Sequence, residues 1–390
     1  PTQTGCMARP CRPRTAMVLL IGNYAADRQQ SMQRFSTMML RGLQEAGIAA
    51  ELMSPLSLFG KFRAGGNFVA KWLAYVDKFI LFPRHLKRAL ARGVSVVHIC
   101  DHSNAMYASH CGKTPVVVTC HDLLAVRGAL GEDTDCPASA TGRILQRWIL
   151  RGLARANAVA CVSRATLADA KRLLPHNRRP QLSVITSGLN YPFRKISEEE
   201  AIARLRACPQ LDTAKPFVVT VGSNLRRKNR DGVLRIFART KDQWDGQLVF
   251  AGEAMTPELH SLGEELGVSP RVVEIAEPDS SVLEALYSRA TALLYPSRFE
   301  GFGWPIAEAQ ACGCPAICAD RAPLPEVAGE AGLFHPVEDE HAFAADILRL
   351  NDPAEHARWS AKSLRNAEQF STTRMIGEYI DLYRSIGAGT

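Results

Sequence analysis

Two carboxylates stand eight positions apart in the stretch SRFEGFGWPIAEAQACG, residues 297–313. Glu300 lies in a Glu-Gly-Phe-Gly loop, and Glu308 falls about one turn into the helix that Pro305 predicts, because proline suits the first helical position. Gly301 and Gly303, on either side of Phe302, let backbone N–H groups come close to a ligand. The helix start adds unpaired N–H groups and the positive end of its dipole, a setting suited to a diphosphate. A carboxylate beside a phosphate would be repelled, so the glutamates need another partner. Vicinal hydroxyls fit: a ribose for Glu308, as an acidic residue serves in dinucleotide folds, and a second sugar for Glu300. Taken singly, Glu308 reads as an ordinary helix-start glutamate and Glu300 as a solvated loop residue. The joint pattern of loop, proline and second glutamate is what points to a site.

Two other stretches carry candidate chemistry. In TVGSNLRRKNRDG (220–232) Gly222 permits a tight turn, and Arg226, Arg227 and Lys228 precede a helix expected from about Asn229. Cations at a helix start make an anion site, although a solvated basic turn would read the same way. In VVVTCHDLLAV (116–126) His121 falls at a strand's end, where a side chain faces a cleft or simply occupies a loop. His98, His102 and His110 are not read as a metal site. Cys312 and Cys314 are read as small residues at a helix-to-strand turn rather than as ligands, since two thiols without partners do not hold zinc.

Parallel strands would position these loops. Short apolar runs alternate with amphipathic ones: 17–22, 49–54, 94–100, 115–120, 158–163 and 181–186 in the first half, then 216–222, 247–252, 271–276, 292–297 and 315–319. Helical patterns fill the gaps, for example 30–46 and 143–155. Such alternation predicts parallel sheets covered on both faces, with ligands beyond the strands' C-terminal ends. Two series in 390 residues predict two domains meeting at a polar junction near 190–200, with the site in the cleft between them. No apolar run approaches the roughly 20 residues of a spanning helix. Residues 1–15 are basic, and 17–22 is read as a buried strand rather than a signal peptide; Met7 and Met17 are both candidate starts. Eleven scattered cysteines without a CxxC pair fit a reduced cytosol. Residues 1–190 hold 25 Lys/Arg against 10 Asp/Glu, leaving 22 against 29 in the rest. A basic first half predicts an anionic partner. No G-x-G-x-x-G follows the first strand, which sets aside a nicotinamide oxidoreductase.

The segment SRFEGFGWPIAEAQACGCPAICADRAPLPEVAGEAGLF (297–334) resembles the donor-binding signature of retaining glycosyltransferases of family 4, group 1, and VGSNLRRKN resembles that family's V-G-x-x-x-x-R-K-N segment. LEALYSRATALLYPS (283–297) is similar to its lead-in, and VVVTCHDLLAV to its strand followed by His-Asp. The resemblance is dense over about 216–345 and thinner over 1–190. It implies the α/β GT-B fold, two doubly wound Rossmann-like domains facing a central cleft. Residues 1–190 would be the acceptor-binding domain and 191–371 the nucleotide-sugar domain, with a C-terminal helix, about 372–386, crossing back to the first. It further implies Glu300, His121, Arg227 and Lys228 as catalytic residues. Glu308, Gly301, Phe302, Gly303, Gly222 and Gly22 would bind the donor. The family's paired-glycine loop after the first strand is replaced by GNYAADRQQSMQRF, with Gly22 alone and Gln30 or Ser31 as candidate substitutes.

The implied activity is retaining transfer of a sugar, a hexose such as mannose, from a nucleotide diphosphate-sugar to an acceptor hydroxyl in envelope or extracellular polysaccharide or glycolipid synthesis. The alternatives are a sugar-nucleotide epimerase and a non-catalytic sugar-nucleotide binding module. No cofactor or metal is expected, because helix N–H groups and cations neutralise the leaving diphosphate. The expected partners are the donor, a sugar or lipid-linked acceptor and an anionic membrane surface, with no nucleic acid. The expected place is the cytoplasm, at the inner face of the membrane. Residues 68–93 mix aromatics with cations and predict either a membrane-surface helix or a core helix with a basic face, interrupted at Pro83.

Overall fold

A computed structural model describes residues 17–27, 30–57 and 75–388. Twelve strands form two six-stranded parallel sheets. The first contains β1 (Met17–Ile21), β2 (Ala49–Met53), β3 (Val96–Ile99), β4 (Val116–Cys120), β5 (Ala158–Cys161) and β6 (Gln181–Val184), in the order 2-1-3-4-5-6. The second contains β7 (Phe217–Gly222), β8 (Gln247–Gly252), β9 (Val272–Ala276), β10 (Ala292–Tyr295), β11 (Ala316–Ala319) and β12 (Gly332–His335), in the order 12-11-10-7-8-9. Both orders reverse direction once, between β1 and β3 and between β7 and β10. Those reversals leave crevices at the strands' C-terminal ends, where ligands of doubly wound sheets bind. This is the expected GT-B architecture. Strand β12 was not among the predicted strands; its four residues include a glycine and give too short an apolar run to stand out.

Strands of the first sheet divide their side chains between two cores, as a period of two requires. Val18 and Leu20 of β1 pack with Phe35, Met39 and Leu43 of the helix Gln30–Glu45 and with Ile376, Tyr379 and Tyr383 of the helix Thr372–Ser385. Leu19 and Ile21 face the opposite way, onto Phe82 and Leu86 of the helix Phe82–Leu90 and onto Ile149 and Leu153 of the helix Ala140–Leu153. The C-terminal helix therefore crosses from the second sheet to cover the first. A buried chain of hydrogen bonds pins it: the Tyr383 hydroxyl lies 2.6 Å from His98 Nδ1, His98 Nε2 lies 2.8 Å from Thr119 Oγ1, and Thr119 Oγ1 lies 2.7 Å from the Tyr379 hydroxyl. Burial, reinforced by His121, lowers the His98 pKa to about 3, so this ring is a neutral structural link.

Of the segment 68–93, residues 68–74, with Lys71 and Trp72, lie outside the described residues. Residues 75–90 are helical and 91–93 form a turn. A π-turn at Asp77–Leu81 leads into the helix Phe82–Leu90, with Pro83 in its first turn. Proline lacks an N–H and crowds the preceding turn, and the wider turn lies just ahead of it. Phe82 is buried against Tyr107, while Ile80 is exposed, so the segment is part core and part surface.

Candidate active site

A cleft of about 940 Å³ runs between the sheets, lined from both sides by the loops at the two reversals. Gly222 ends β7 and the loop after β10 carries Glu300 to Gly303. From the other domain come Asn23 and Tyr24 after β1, Asp101 to Asn104 after β3, and His121 after β4. Of the ten site residues predicted above, nine line this cleft: Glu300, His121, Arg227, Lys228, Glu308, Gly301, Phe302, Gly303 and Gly222. Gly22 is not one of them. It closes β1 by donating to the Met53 carbonyl, and a Cβ there would lie 2.7 Å from the Ser54 hydroxyl oxygen. Gln30 and Ser31 do line the cleft.

The predicted clusters are one cluster. Arg226 to Lys228 form a single 3₁₀ turn that ends on Asn229, whose left-handed φ of 54° redirects the chain into the helix Arg230–Ala238. That turn brings Arg227 Nη1 within 2.8 Å of Glu300 Oε2 and Lys228 Nζ within 2.6 Å of Glu300 Oε1. The Tyr295 hydroxyl donates to the same Oε1 at 2.6 Å. Burial alone would raise the Glu300 carboxyl, but Lys228 and Arg227 outweigh it and hold its pKa at about 2. Burial depresses Lys228 and Glu300 opposes that, whereas at Arg227 burial is outweighed by Glu300, Tyr295 and Asp122 together, which leave it above its ordinary value. The carboxylate read from sequence as an open hydroxyl clamp thus has both oxygens engaged by protein donors. Two cations and one anion leave this group with a net positive charge facing the cleft.

Glu308 is the fifth residue of the helix Trp304–Ala311, whose N-cap Gly303 takes φ of +105°, a conformation that favours glycine. Burial lifts Glu308 to a pKa of about 7, against the lowering influence of the Tyr287 hydroxyl, which donates to Oε2 at 3.1 Å, and of the Arg34 charge. His121 sits at the end of β4 as expected. Its Nε2 lies 2.9 Å from the Cys100 carbonyl, so Nε2 carries the hydrogen and the ring's other nitrogen is an acceptor. Burial lowers its pKa and keeps it neutral. The ring rests edge-on against Phe35, with Trp304 6.3 Å away across the domain seam.

The sequence missed the polar floor on the first sheet's side of the cleft. Asp101 caps the 3₁₀ segment His102–His110, accepts from Ser103 N at 3.0 Å and from Asn23 Nδ2 at 2.5 Å, and lies 3.2 Å from His102 Nδ1. Burial would raise the Asp101 carboxyl, but His102, His121 and Ser103 together hold it below the usual carboxylate range. Among the described residues no three His, Cys, Asp or Glu side chains converge as metal ligands.

Residues 32–190 match the family model described as Glycosyltransferase Family 4, and residues 202–365 the model described as Glycosyl transferases group 1. The chain belongs to the group 1 glycosyltransferases of family 4. This glycosyltransferase is 41% identical over 108 residues to the O-antigen chain mannosyltransferase B of Escherichia coli, covering 27% of this chain and 28% of that protein. It is 27% identical over 284 residues to the D-inositol 3-phosphate glycosyltransferase of Corynebacterium glutamicum (strain R), covering 70% and 66%. The chain therefore spans less than a third of the first relative and just under two thirds of the second. Among solved structures, sucrose-phosphate synthase from Thermosynechococcus elongatus superposes with a TM-score of 0.76 at 20% identity, over 96% of this chain and 100% of that one. Anabaena Alr3699/HepE in complex with UDP and glucose gives 0.72 at 15% identity, over 95% and 100%. These likenesses establish the shared fold. Within the glycosyltransferase the predicted donor residues gather along the second sheet's side of the cleft, and His121 faces them from the first.

Proposed function

We propose that this glycosyltransferase moves a hexose from a nucleotide diphosphate-sugar to an acceptor hydroxyl with retention of configuration. The observation that carries the reading is Glu300 held between Arg227 and Lys228, beside the glycine-capped start of the helix Trp304–Ala311. The diphosphate would lie against those two cations and the N–H groups of Gly301 to Gly303. As the sugar–phosphate bond breaks, negative charge grows on the leaving phosphate and the preorganised cations stabilise it. Glu300 holds both cations in place, and its remaining acceptor capacity on Oε2 is free for a sugar hydroxyl. Glu308 would take the ribose hydroxyls. His121, neutral and with one acceptor nitrogen, would take a hydroxyl of the transferred sugar from the opposite wall. The acceptor proton passes to the departing phosphate, so no dedicated base and no metal enter the scheme.

A role in envelope polysaccharide is supported by the E. coli relative's description, which also makes mannose the first donor sugar to try. A cytoplasmic site is supported by nine described cysteines that are all free thiols. The test is calorimetric titration with a panel of sugar nucleotides, then turnover with simple acceptors and assignment of the product's anomeric configuration by NMR. Inversion would overturn the mechanism. Interconversion of the donor without transfer would make the protein an epimerase, and binding without any turnover would make it a binding module.

A further inference from the structure

The wall of the cleft continues from Glu308 along the helix Ser280–Arg289. Tyr287, whose hydroxyl donates to Glu308 Oε2, lies one turn after Leu283, and Leu283 lines the cleft. From Tyr287 back to the helix start is about 10 Å at the rise of an α-helix. A ribose held at Glu308 would extend its base along that wall, towards the C-terminal ends of β8 and β9. The lining there is Gly222, Gly252, Pro278 and Leu283, with Glu253 and Glu277. Bare backbone and two apolar side chains suit a flat ring. Glu277 is out of character for its backbone. Among the described residues three other than glycine have φ in the left-handed region: Asp135, Asn229 and Glu277, the last at 45°. Short Asp and Asn side chains tolerate this conformation by bonding locally, and a long glutamate gains nothing from it. The Glu277 N–H donates to the Gly252 carbonyl at 2.8 Å, which holds the strand end in this turn. Its side chain is exposed and makes no hydrogen bond or ion pair with any described residue. Glu253, by contrast, already accepts from Asn224 N at 2.8 Å. Backbone strain of this kind gathers at ligand sites.

We propose that Glu277 reads the base of the donor and that the base is guanine. The inference rests on the nucleotide-sugar reading of the cleft and adds the chemical class of the nucleotide. Guanine presents two adjacent donors, N1–H and the N2 amino group, on its pairing edge, and one carboxylate accepts both in parallel. Uracil presents a single N–H between two carbonyls, which a carboxylate repels. Adenine and cytosine present one amino group beside an unprotonated ring nitrogen, whose lone pair would face the second carboxylate oxygen. The Glu277 carboxylate has no protein partner to give up, so the two bonds to guanine form without breaking another. A base that lacks the matching donors leaves the carboxylate unpaired against the ring, and that asymmetry is the source of the discrimination.

The test is calorimetric titration of the full chain with GDP, UDP, ADP, CDP and IDP, the last carrying guanine's ring without its N2 amino group. The wild type is expected to bind GDP at least tenfold more tightly than each of the others, as loss of a hydrogen bond to a charged group implies. In Glu277→Gly the preference for GDP over IDP should disappear. The thermal unfolding midpoint of that variant should not fall, since glycine takes this φ freely. Binding of UDP, ADP, CDP or IDP as tight as that of GDP overturns the inference and leaves the nucleotide reading in place. So does an unchanged preference for GDP over IDP in the variant. A lower midpoint accompanying the lost preference would make Glu277 a structural residue and also sink the assignment. Failure to bind any nucleoside diphosphate would remove the nucleotide reading itself, and this inference with it.

Discussion

A Cβ on Gly301 would lie 2.2 Å from the carbonyl oxygen of His121. The two residues belong to different domains, and the glycine loop is seated directly on the strand end that carries the histidine. Ser163 Oγ donates to the Gly301 carbonyl at 3.1 Å across the same seam, and both Glu326 oxygens accept from Arg164 N at 2.9 Å. Gly301 thus serves the approach of one domain to the other, beyond the approach of backbone to ligand that its type suggested.

Gly301→Ala should therefore hold the domains apart while leaving each core intact. Turnover is expected to fall tenfold or more, since misplacement by about 1 Å can cost 100-fold. Far-UV circular dichroism should not change. Full activity in this variant would show that the seam opens during turnover without cost.

Nucleotide affinity should depend on the protonation of Glu308. Ribose hydroxyls donate best to a carboxylate, so binding draws Glu308 into its ionised form and releases a proton. With a folded pKa of about 7 against 4.5 for the free side chain, affinity for the nucleoside diphosphate should weaken as pH falls from 8 to 6. The stability effect has the sign of a raised pKa. It favours the fold below about 4.5 and is lost as pH rises through about 7. Calorimetry in buffers of different ionisation enthalpy reads the proton release, and Glu308→Gln should abolish it. A flat affinity over this range would separate Glu308 from the ribose.

Arg227→Ala and Lys228→Ala should reduce turnover more than ground-state binding, because charge on the diphosphate grows towards the transition state. Each variant also leaves Glu300 with one cation fewer, so the two losses should not add in the double variant. The measurement is kcat beside the dissociation constant of the sugar nucleotide. Equal losses in both would reduce the pair to simple anion binding.

Activity should survive excess EDTA, since Arg227, Lys228 and the helix start are proposed to supply the positive charge. Abolition by chelator and rescue by magnesium or manganese would refute this.

Tyr383→Phe should destabilise the protein by about 1–3 kcal/mol, because His98 Nδ1 is buried and loses its partner. Urea unfolding reads the loss, and nucleotide affinity should not follow it.

The donor half of the site was legible because its chemistry is local in sequence. Glycines, proline, cations and carboxylates fall within two loops, each directly after an apolar run that any parallel sheet would bury. What the sequence concealed is what long-range packing decides. That Glu300 spends its lone pairs on Arg227, Lys228 and Tyr295 follows from β7 and β10 being neighbours, a fact of strand order. Asp101 and Asn23 meet only because β1 and β3 are adjacent. Arg34, whose charge acts on Glu308 from the other domain, lies on an otherwise ordinary amphipathic helix. Gly22 shows a second effect of packing: a glycine at the expected place lies against the Ser54 side chain, 2.7 Å from where its Cβ would be, a neighbour that only the fold supplies.

The helix Thr372–Ser385 lies near the end of the chain, yet it covers the sheet with which the described chain begins. As the polypeptide leaves the ribosome, Val18, Leu20, Val96 and Val117 have only the helix Gln30–Glu45 as helical cover on that face until the entire second domain has been made. Completion therefore runs backwards: the later half can close its own core while the earlier half waits, a ready client for a chaperone. A nonsense codon just before Thr372 would leave every cleft residue encoded and still strip the first sheet of one of the helices that cover this face.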